Sequence, residues 1–174
     1  FTKWRGVYSI GNKYPTKLSI NSNAHALARY SALVQESGMV PIVEPEVLMD
    51  GEHSVDVCLS KTSDVIKKMF EELILHKVDL AGIILKPNMI LSGNQSKEKI
   101  SSEEVSNKTL ECLKNSVPSD VPGIAFLSGG QSELEATENS NLINKNNNTN
   151  FIMTYSYGRA LQQSALKEWS KNIK

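Results

Sequence analysis

Strand-type and helix-type patterns alternate five times along this chain, and that alternation limits the fold more than any single residue does. Residues 1–10 alternate and then run apolar through Trp4, Val7, Tyr8 and Ile10, which predicts an opening strand. Gly11 to Pro15 supplies turn residues. Asn23 to Glu36 then carries Ala24, Leu27, Ala28, Ser31 and Val34 at helical spacing, with Gly38 as a stop. Met39 to Glu46 reads as a second strand, apolar at its start and carboxylate-bearing at its end. A polar loop from Asp50 to Ser54 follows, and Thr62 to His76 predicts a helix with Val65, Ile66, Met69, Phe70 and Leu73 on one face.

The third strand is expected over Leu80 to Leu85, ending at Lys86. Ser101-Ser102-Glu103-Glu104 reads as a capping box for a helix through Val105, Leu110 and Leu113, stopped by Val117-Pro118. Gly123 to Leu127 is the fourth strand, and Ser132 with Glu135 opens a helix toward Ile143. Asn144 to Asn150 is a low-complexity polar loop to which no function is assigned. Phe151 to Tyr155 is the fifth strand, and Ala160 to Lys174 a closing amphipathic helix.

Such alternation calls for parallel strands with helices outside, either in an open doubly wound sheet or in part of a (β/α)8 barrel. The polar residues separate the two. Lys3 and Arg5, Glu44 and Glu46, Lys86, Ser128 to Gly130, and Ser156 to Arg159 stand at the C-terminal ends of all five strands. An open sheet gathers its site at one switch point, whereas a barrel draws it from many strand ends at one mouth. The expected fold is therefore α/β, a TIM barrel.

At 174 residues the chain is about one domain. Nineteen Lys and Arg offset nineteen Asp and Glu, so no bulk charge favours nucleic acid or an acidic membrane. No apolar run reaches the roughly 18 residues of a membrane helix, and the opening residues lack the apolar core of a signal peptide. Cys58 and Cys112 show no CxxC spacing, which predicts a reduced, cytoplasmic setting. There the triplets at Asn94, Asn107 and Asn147 carry no meaning as glycosylation signals.

Lys86 ends the apolar run Ile83-Ile84-Leu85 just before Pro87. Alone, it also reads as a lysine snorkelling to water. At the border between apolar interior and solvent, desolvation and a neighbouring cation favour the neutral amine, the form that attacks a carbonyl to give a Schiff base. Lys3 and Arg5 are two apart, as are Glu44 and Glu46, and a period of two puts each pair on one face of its strand. Each pair alone fits a solvated strand terminus. Together they would bring Lys3 in as the cation and Glu44 as a proton shuttle for carbinolamine chemistry.

Ser128-Gly129-Gly130 before a helix start is either an ordinary turn or an anion site, and Gly158-Arg159 adds a guanidinium fork suited to phosphate. His25, His53 and His76 lie away from strand ends with no HxxxH spacing, which argues against a zinc-dependent aldol site; no metal or cofactor is expected.

The segments FTKWR, VPIVEPEVL, ILKPNM, FLSGGQSE and SYGRALQ resemble, in order and spacing, class I fructose-1,6-bisphosphate aldolase, the Schiff-base type. The likeness runs over essentially the whole chain. It implies reversible glycolytic cleavage of fructose 1,6-bisphosphate to dihydroxyacetone phosphate and glyceraldehyde 3-phosphate. It further implies Lys86 as the Schiff-base lysine, Glu44 as acid/base with Glu46 near the amine, and Lys3 and Arg5 at the reacting centre and distal phosphate end. Ser128, Gly129, Gly130, Ser156, Gly158 and Arg159 would form the ketose-phosphate site. A homotetramer and cytoskeletal or adaptor partners are implied by the same resemblance, and a Schiff-base lyase for a related sugar phosphate or an inactive scaffold are the alternatives. The family chain is about twice this length and the match covers its strands four to eight. Residues 1–174 are thus expected to be part of one barrel domain, completed by further chain or by another subunit.

Overall fold

A computed structural model describes residues 1–171, and in it five parallel strands alternate with five helices. The strands are β1 (Thr2–Tyr8), β2 (Pro41–Val47), β3 (Ile84–Leu85), β4 (Gly123–Phe126) and β5 (Ile152–Tyr155). The helices are α1 (Lys17–Glu36), α2 (Val55–Leu75), α3 (Ser102–Ser116), α4 (Glu133–Lys145) and α5 (Arg159–Ser170). The sheet order is β1-β2-β3-β4-β5, every neighbouring pair parallel. A doubly wound sheet reverses its order at a switch point; this one progresses without reversal, as the staves of a barrel do.

Local side-chain chemistry moves several boundaries away from those the hydrophobic period predicts. α1 starts at Lys17, six residues before the apolar pattern begins, because the Thr16 hydroxyl accepts from the Ser19 amide at 3.1 Å. α2 starts at Val55, ahead of the Thr62 start that the apolar period predicts, because Ser54 caps the Val57 amide at 3.3 Å. Ser101 likewise caps α3 through the Glu104 amide, and Ser132 with Glu135 forms a reciprocal capping box on α4. The closing helix begins at Arg159; residues 172–174 of its expected span lie outside the described residues.

The largest departure is the third strand. Residues 80–82 form a 3₁₀ turn, and only Ile84 and Leu85 join the ladder as β3. The Asp79 carboxylate accepts from the Ala81 amide, while the Gln35 amide of α1 donates to the Asp79 and Gly82 carbonyls at 2.8 and 3.3 Å. These side-chain bonds take up backbone groups that a strand would offer its neighbours. The ladder nevertheless continues past β3, since the Lys86 amide donates to the Val43 carbonyl and the Leu127 amide to the Pro87 carbonyl.

The core lies between sheet and helices. Val43, Leu85, Ile124 and Phe126 from the strands meet Leu27, Ile66, Met69, Leu73, Leu113 and Ile143 from the helices, all fully or almost fully buried. Burying each such side chain contributes about 1.5–3 kcal/mol. Gly6 is buried on β1, where a Cβ would stand 3.3 Å from Asn23 and Leu27 of α1, so its smallness lets helix and strand approach. The opposite side of β1 and β2 carries the charged residues.

Candidate active site

Strand register decides which charges meet. In the β1–β2 ladder Lys3 lies opposite Ile42, Arg5 opposite Glu44, and Val7 opposite Glu46. Each cation therefore reaches diagonally, one side-chain step up the neighbouring strand. Lys3 Nζ stands 2.7 Å from Glu44 Oε2, and Arg5 Nε 2.5 Å from Glu46 Oε2. From the other side, Lys86 Nζ lies 3.3 Å from Glu44 Oε1.

The result is a chain of charge across three successive strands, Lys3–Glu44–Lys86, with Glu44 as the shared member. Its burial is graded. The side chains of Glu44 and Lys86 are 5% and 11% exposed, against 44% for Lys3 and 46% for Arg5. A buried carboxylate and amine held together leave the pair able to pass a proton without bulk water.

Three expectations change. Lys3 and Arg5, expected at the C-terminal end of the first strand, are the second and fourth residues of β1, and Glu44 is the fourth of the seven residues of β2; these three charges meet along the strands rather than at their ends, because the ladder begins at Thr2 and Pro41 and runs on to Tyr8 and Val47. Lys3, anticipated as a cation acting on the amine of Lys86, has its ion pair with Glu44, so that carboxylate stands in the relation between the two lysines. Glu46, anticipated beside the amine, has its ion pair with Arg5. Two-residue periodicity identifies a shared face but not the diagonal reach of long side chains.

Asn88 was missed as a site residue. It is buried behind Lys86, accepts from the Val47 amide at 3.0 Å, and donates to the Thr62 hydroxyl at 3.3 Å and the Met89 carbonyl at 3.1 Å. It thereby joins the end of β2 to the segment carrying Lys86. The polar residue directly after Lys86-Pro87 was the available signal, because an amide at a strand end needs partners when buried.

After β4, Gly129 and Gly130 adopt φ values of +60° and +91°, a left-handed conformation that glycine takes without strain. The Gln131 amide closes the turn on the Ser128 carbonyl at 3.0 Å. The Gln131 side chain donates to the same carbonyl and accepts from Asn139 of α4 at 2.7 Å, a tether with no sequence signal beyond its polarity. Ser128, Gly130, Gln131, Arg159, Gln163 and Leu166 line one cavity of about 410 Å³. Three of the six residues expected to hold phosphate thus share a cavity. Gly129 sits inside the turn, while Ser156 and Gly158 sit on the adjoining β5–α5 connection, Ser156 bonded through its amide to the Phe126 carbonyl and Gly158 as the N-cap of α5.

The two loops beside Glu44 and Lys86 are joined through their backbones. The Gly93 amide donates to the His53 carbonyl, Asn94 to Met49 and Gln95 to Gly51, at 2.8–2.9 Å. Gly93 approaches so closely that a Cβ there would fall 2.2 Å from the Gly51 carbonyl oxygen. His53 lies between these loops with neither ring nitrogen hydrogen-bonded, and burial holds its pKa below the ordinary histidine value. Cys58 and Cys112 are buried free thiols, pushed upward by desolvation, Cys112 to about 11.

With this geometry in place, the chain's relatives identify its family. Residues 1–174 match the family model described as fructose-bisphosphate aldolase class-I. A probable fructose-bisphosphate aldolase class 1 from Xanthomonas campestris is 47% identical over 173 residues, covering 99% of this chain and 52% of the relative. Fructose-bisphosphate aldolase 4, cytosolic, from Arabidopsis thaliana is 48% identical over 170 residues, covering 97% and 43%. A solved structure of the Plasmodium falciparum aldolase, in complex with TRAP and a small-molecule inhibitor, superposes with a TM-score of 0.96 at 44% identity, covering 99% of this chain and 50% of that one. The chain spans about half the length of the relatives it matches. By its sequence over all 174 residues and by its fold, it belongs to the class I fructose-bisphosphate aldolase family.

Proposed function

We propose that the protein containing this chain cleaves fructose 1,6-bisphosphate reversibly to dihydroxyacetone phosphate and glyceraldehyde 3-phosphate, as a glycolytic lyase, through a Schiff base on Lys86. The observation that carries the reading is the buried contact of Lys86 Nζ with Glu44 Oε1 at 3.3 Å; a cavity lined by Ser128, Gly130 and Arg159 on the connections after β4 and β5 supports it.

The chemistry follows from that contact. Glu44 takes a proton from Lys86, and the free amine adds to the ketone carbonyl to give a carbinolamine. Glu44 returns a proton to the departing hydroxyl, water leaves, and an iminium ion forms. The iminium withdraws electrons from the adjacent carbon. Loss of the proton from the next hydroxyl then breaks the carbon–carbon bond, releasing the aldehyde and leaving an enamine. Protonation of the enamine and hydrolysis of the iminium release the ketone and restore Lys86.

Lys3, paired to the same carboxylate, holds Glu44 against Lys86 and can bind an oxygen of the substrate at its exposed end. Arg5, oriented by Glu46, extends the cationic face outward toward the second phosphate. Ser128, Gly129, Gly130, Ser156, Gly158 and Arg159 bind the ketose phosphate through hydroxyls, backbone amides and one guanidinium. No cofactor enters these steps.

The test is borohydride trapping of the full-length protein with dihydroxyacetone phosphate, followed by peptide mapping. The reduced adduct should appear on Lys86, and its absence there with the protein folded would overturn the reading. A cytoplasmic location agrees with three relatives named cytosolic. Assembly as a homotetramer belongs to the same proposal and is read by sedimentation equilibrium.

A further inference from the structure

On the helical side of the sheet, away from the strand ends, three side chains from α1 and α2 converge. His25 of α1, Glu72 of α2 and His76 at the end of α2 each present a ligand atom, all within 4.8 Å of one another. Spacing alone could not reveal the set, because His25 is far from the other two in sequence and helix packing brings it in. Among the described residues no other such group of histidine, cysteine and carboxylate side chains occurs.

The surroundings arrange these atoms for a cation. His76 Nδ1 lies 2.8 Å from the Glu72 carbonyl oxygen; as the donor there it leaves the lone pair on Nε2. A histidine ligand commonly has its other ring nitrogen held in this way. Lys68 Nζ holds Glu72 Oε1 at 3.0 Å, which leaves Oε2 on the side of the histidines. That oxygen is 3.5 Å from His25 Nδ1, longer than a good charge-assisted hydrogen bond. The two imidazoles meet edge to face with centroids 4.9 Å apart, a poor arrangement for two imidazolium ions but suited to two neutral ligands of one ion. α2 has no basic residue in its last turn, so its C-terminal carbonyls also favour a cation there.

We infer that His25, Glu72 and His76 form a surface site for a divalent transition-metal ion, Zn²⁺ by its ligand chemistry, which fastens α1 to α2. Two imidazole nitrogens and one carboxylate oxygen suit Zn²⁺, with solvent at the fourth position because the His25 side chain is 54% exposed. Mg²⁺, which prefers oxygen ligands in octahedral geometry, does not suit the set. The buried, unionised thiols of Cys58 and Cys112 do not compete for the ion in the folded state. The inference is independent of the proposed lyase chemistry.

Titration of the metal-free full-length protein with Zn²⁺ alone, at mildly alkaline pH and followed by calorimetry and thermal denaturation, tests it. One saturable site in the micromolar range, a rise in Tm with Zn²⁺ and none with Mg²⁺ are expected. His25→Ala, on an exposed helical position, and His76→Ala should each weaken binding at least about tenfold. Co²⁺ in place of Zn²⁺ should give the intense visible absorption of a low-coordinate site, lost in the same variants. Absence of saturable binding in the folded protein, or wild-type affinity retained by either variant, overturns the inference.

Discussion

Glu44 accepts Lys86 on one carboxylate oxygen at 3.3 Å and Lys3 on the other at 2.7 Å, so a single buried side chain ties three successive strands together. In the proposed mechanism it both holds a charge and moves a proton. Glu44→Gln keeps the shape and loses the proton chemistry, and kcat should fall by about 10²–10⁴. Lys86→Met should abolish turnover while steady-state circular dichroism stays native. Retained activity in the lysine variant would remove Lys86 from the reaction.

Arg159 tests the phosphate cavity. Replacing its guanidinium with Ala removes charged hydrogen bonds worth about 1.5–3 kcal/mol each, so KM for the bisphosphate should rise roughly tenfold to a hundredfold, with a smaller effect on kcat. A variant with unchanged KM would place the ketose phosphate elsewhere.

Gly93→Ala should disturb the site without touching a charged group. The added methyl would sit 2.2 Å from the Gly51 carbonyl, which neither backbone can accommodate in place. The variant is expected to lose the paired loops, seen as faster amide exchange at Gly51 and Gln95, together with reduced kcat/KM. Gly123→Ala at the start of β4, where a Cβ would make only an ordinary 3.9 Å contact with the Ile152 carbonyl, is the control.

His53 gives a pH signature with a defined sign. Its folded pKa is lowered by burial, so the folded state takes up its proton less readily than the unfolded chain. The stability this confers is complete above the ordinary histidine pKa of about 6.5 and is lost as pH falls through the lowered folded value. Denaturant midpoints of wild type minus His53→Asn should therefore decline as pH drops from neutral into the mildly acidic range. A flat difference would show that the ring gains no such protection.

The two cysteines should be silent toward alkylation in the native state. Burial lifts the Cys112 thiol to about 11 and raises Cys58 as well, so thiolate is scarce near neutrality and the sulfurs are covered. Iodoacetamide should label both only after denaturation, and rapid native labelling would contradict the packing of α2 against α3.

Much of the site was legible because a strand's period of two is rigid. Lys3 and Arg5, or Glu44 and Glu46, must share a face, and Lys86 must stand where an apolar run meets Pro87. Which cation takes which carboxylate was not legible, since side-chain reach is set by register and shifts each partner by two positions. The helix starts at Lys17 and Val55 were hidden because Thr16 and Ser54 act through hydrogen bonds that hydrophobic period does not register. Residues 80–82 read as strand by composition and became a turn because Gln35, far away on α1, holds the Asp79 and Gly82 carbonyls at either end of it. Asn88 and Gln131 showed only their polarity and, for Asn88, its place after Lys86-Pro87; a buried amide is defined by its partners, which only the fold assembles.

The crowding of Gly93 on Gly51 also bears on how such an enzyme could be retuned. A library that randomises the β2–α2 loop alone would be screened against a fixed β3–α3 loop that rejects any thickening at the crossing. Both segments would have to be varied together, with the two glycines left untouched, for new substrate shapes to be reachable.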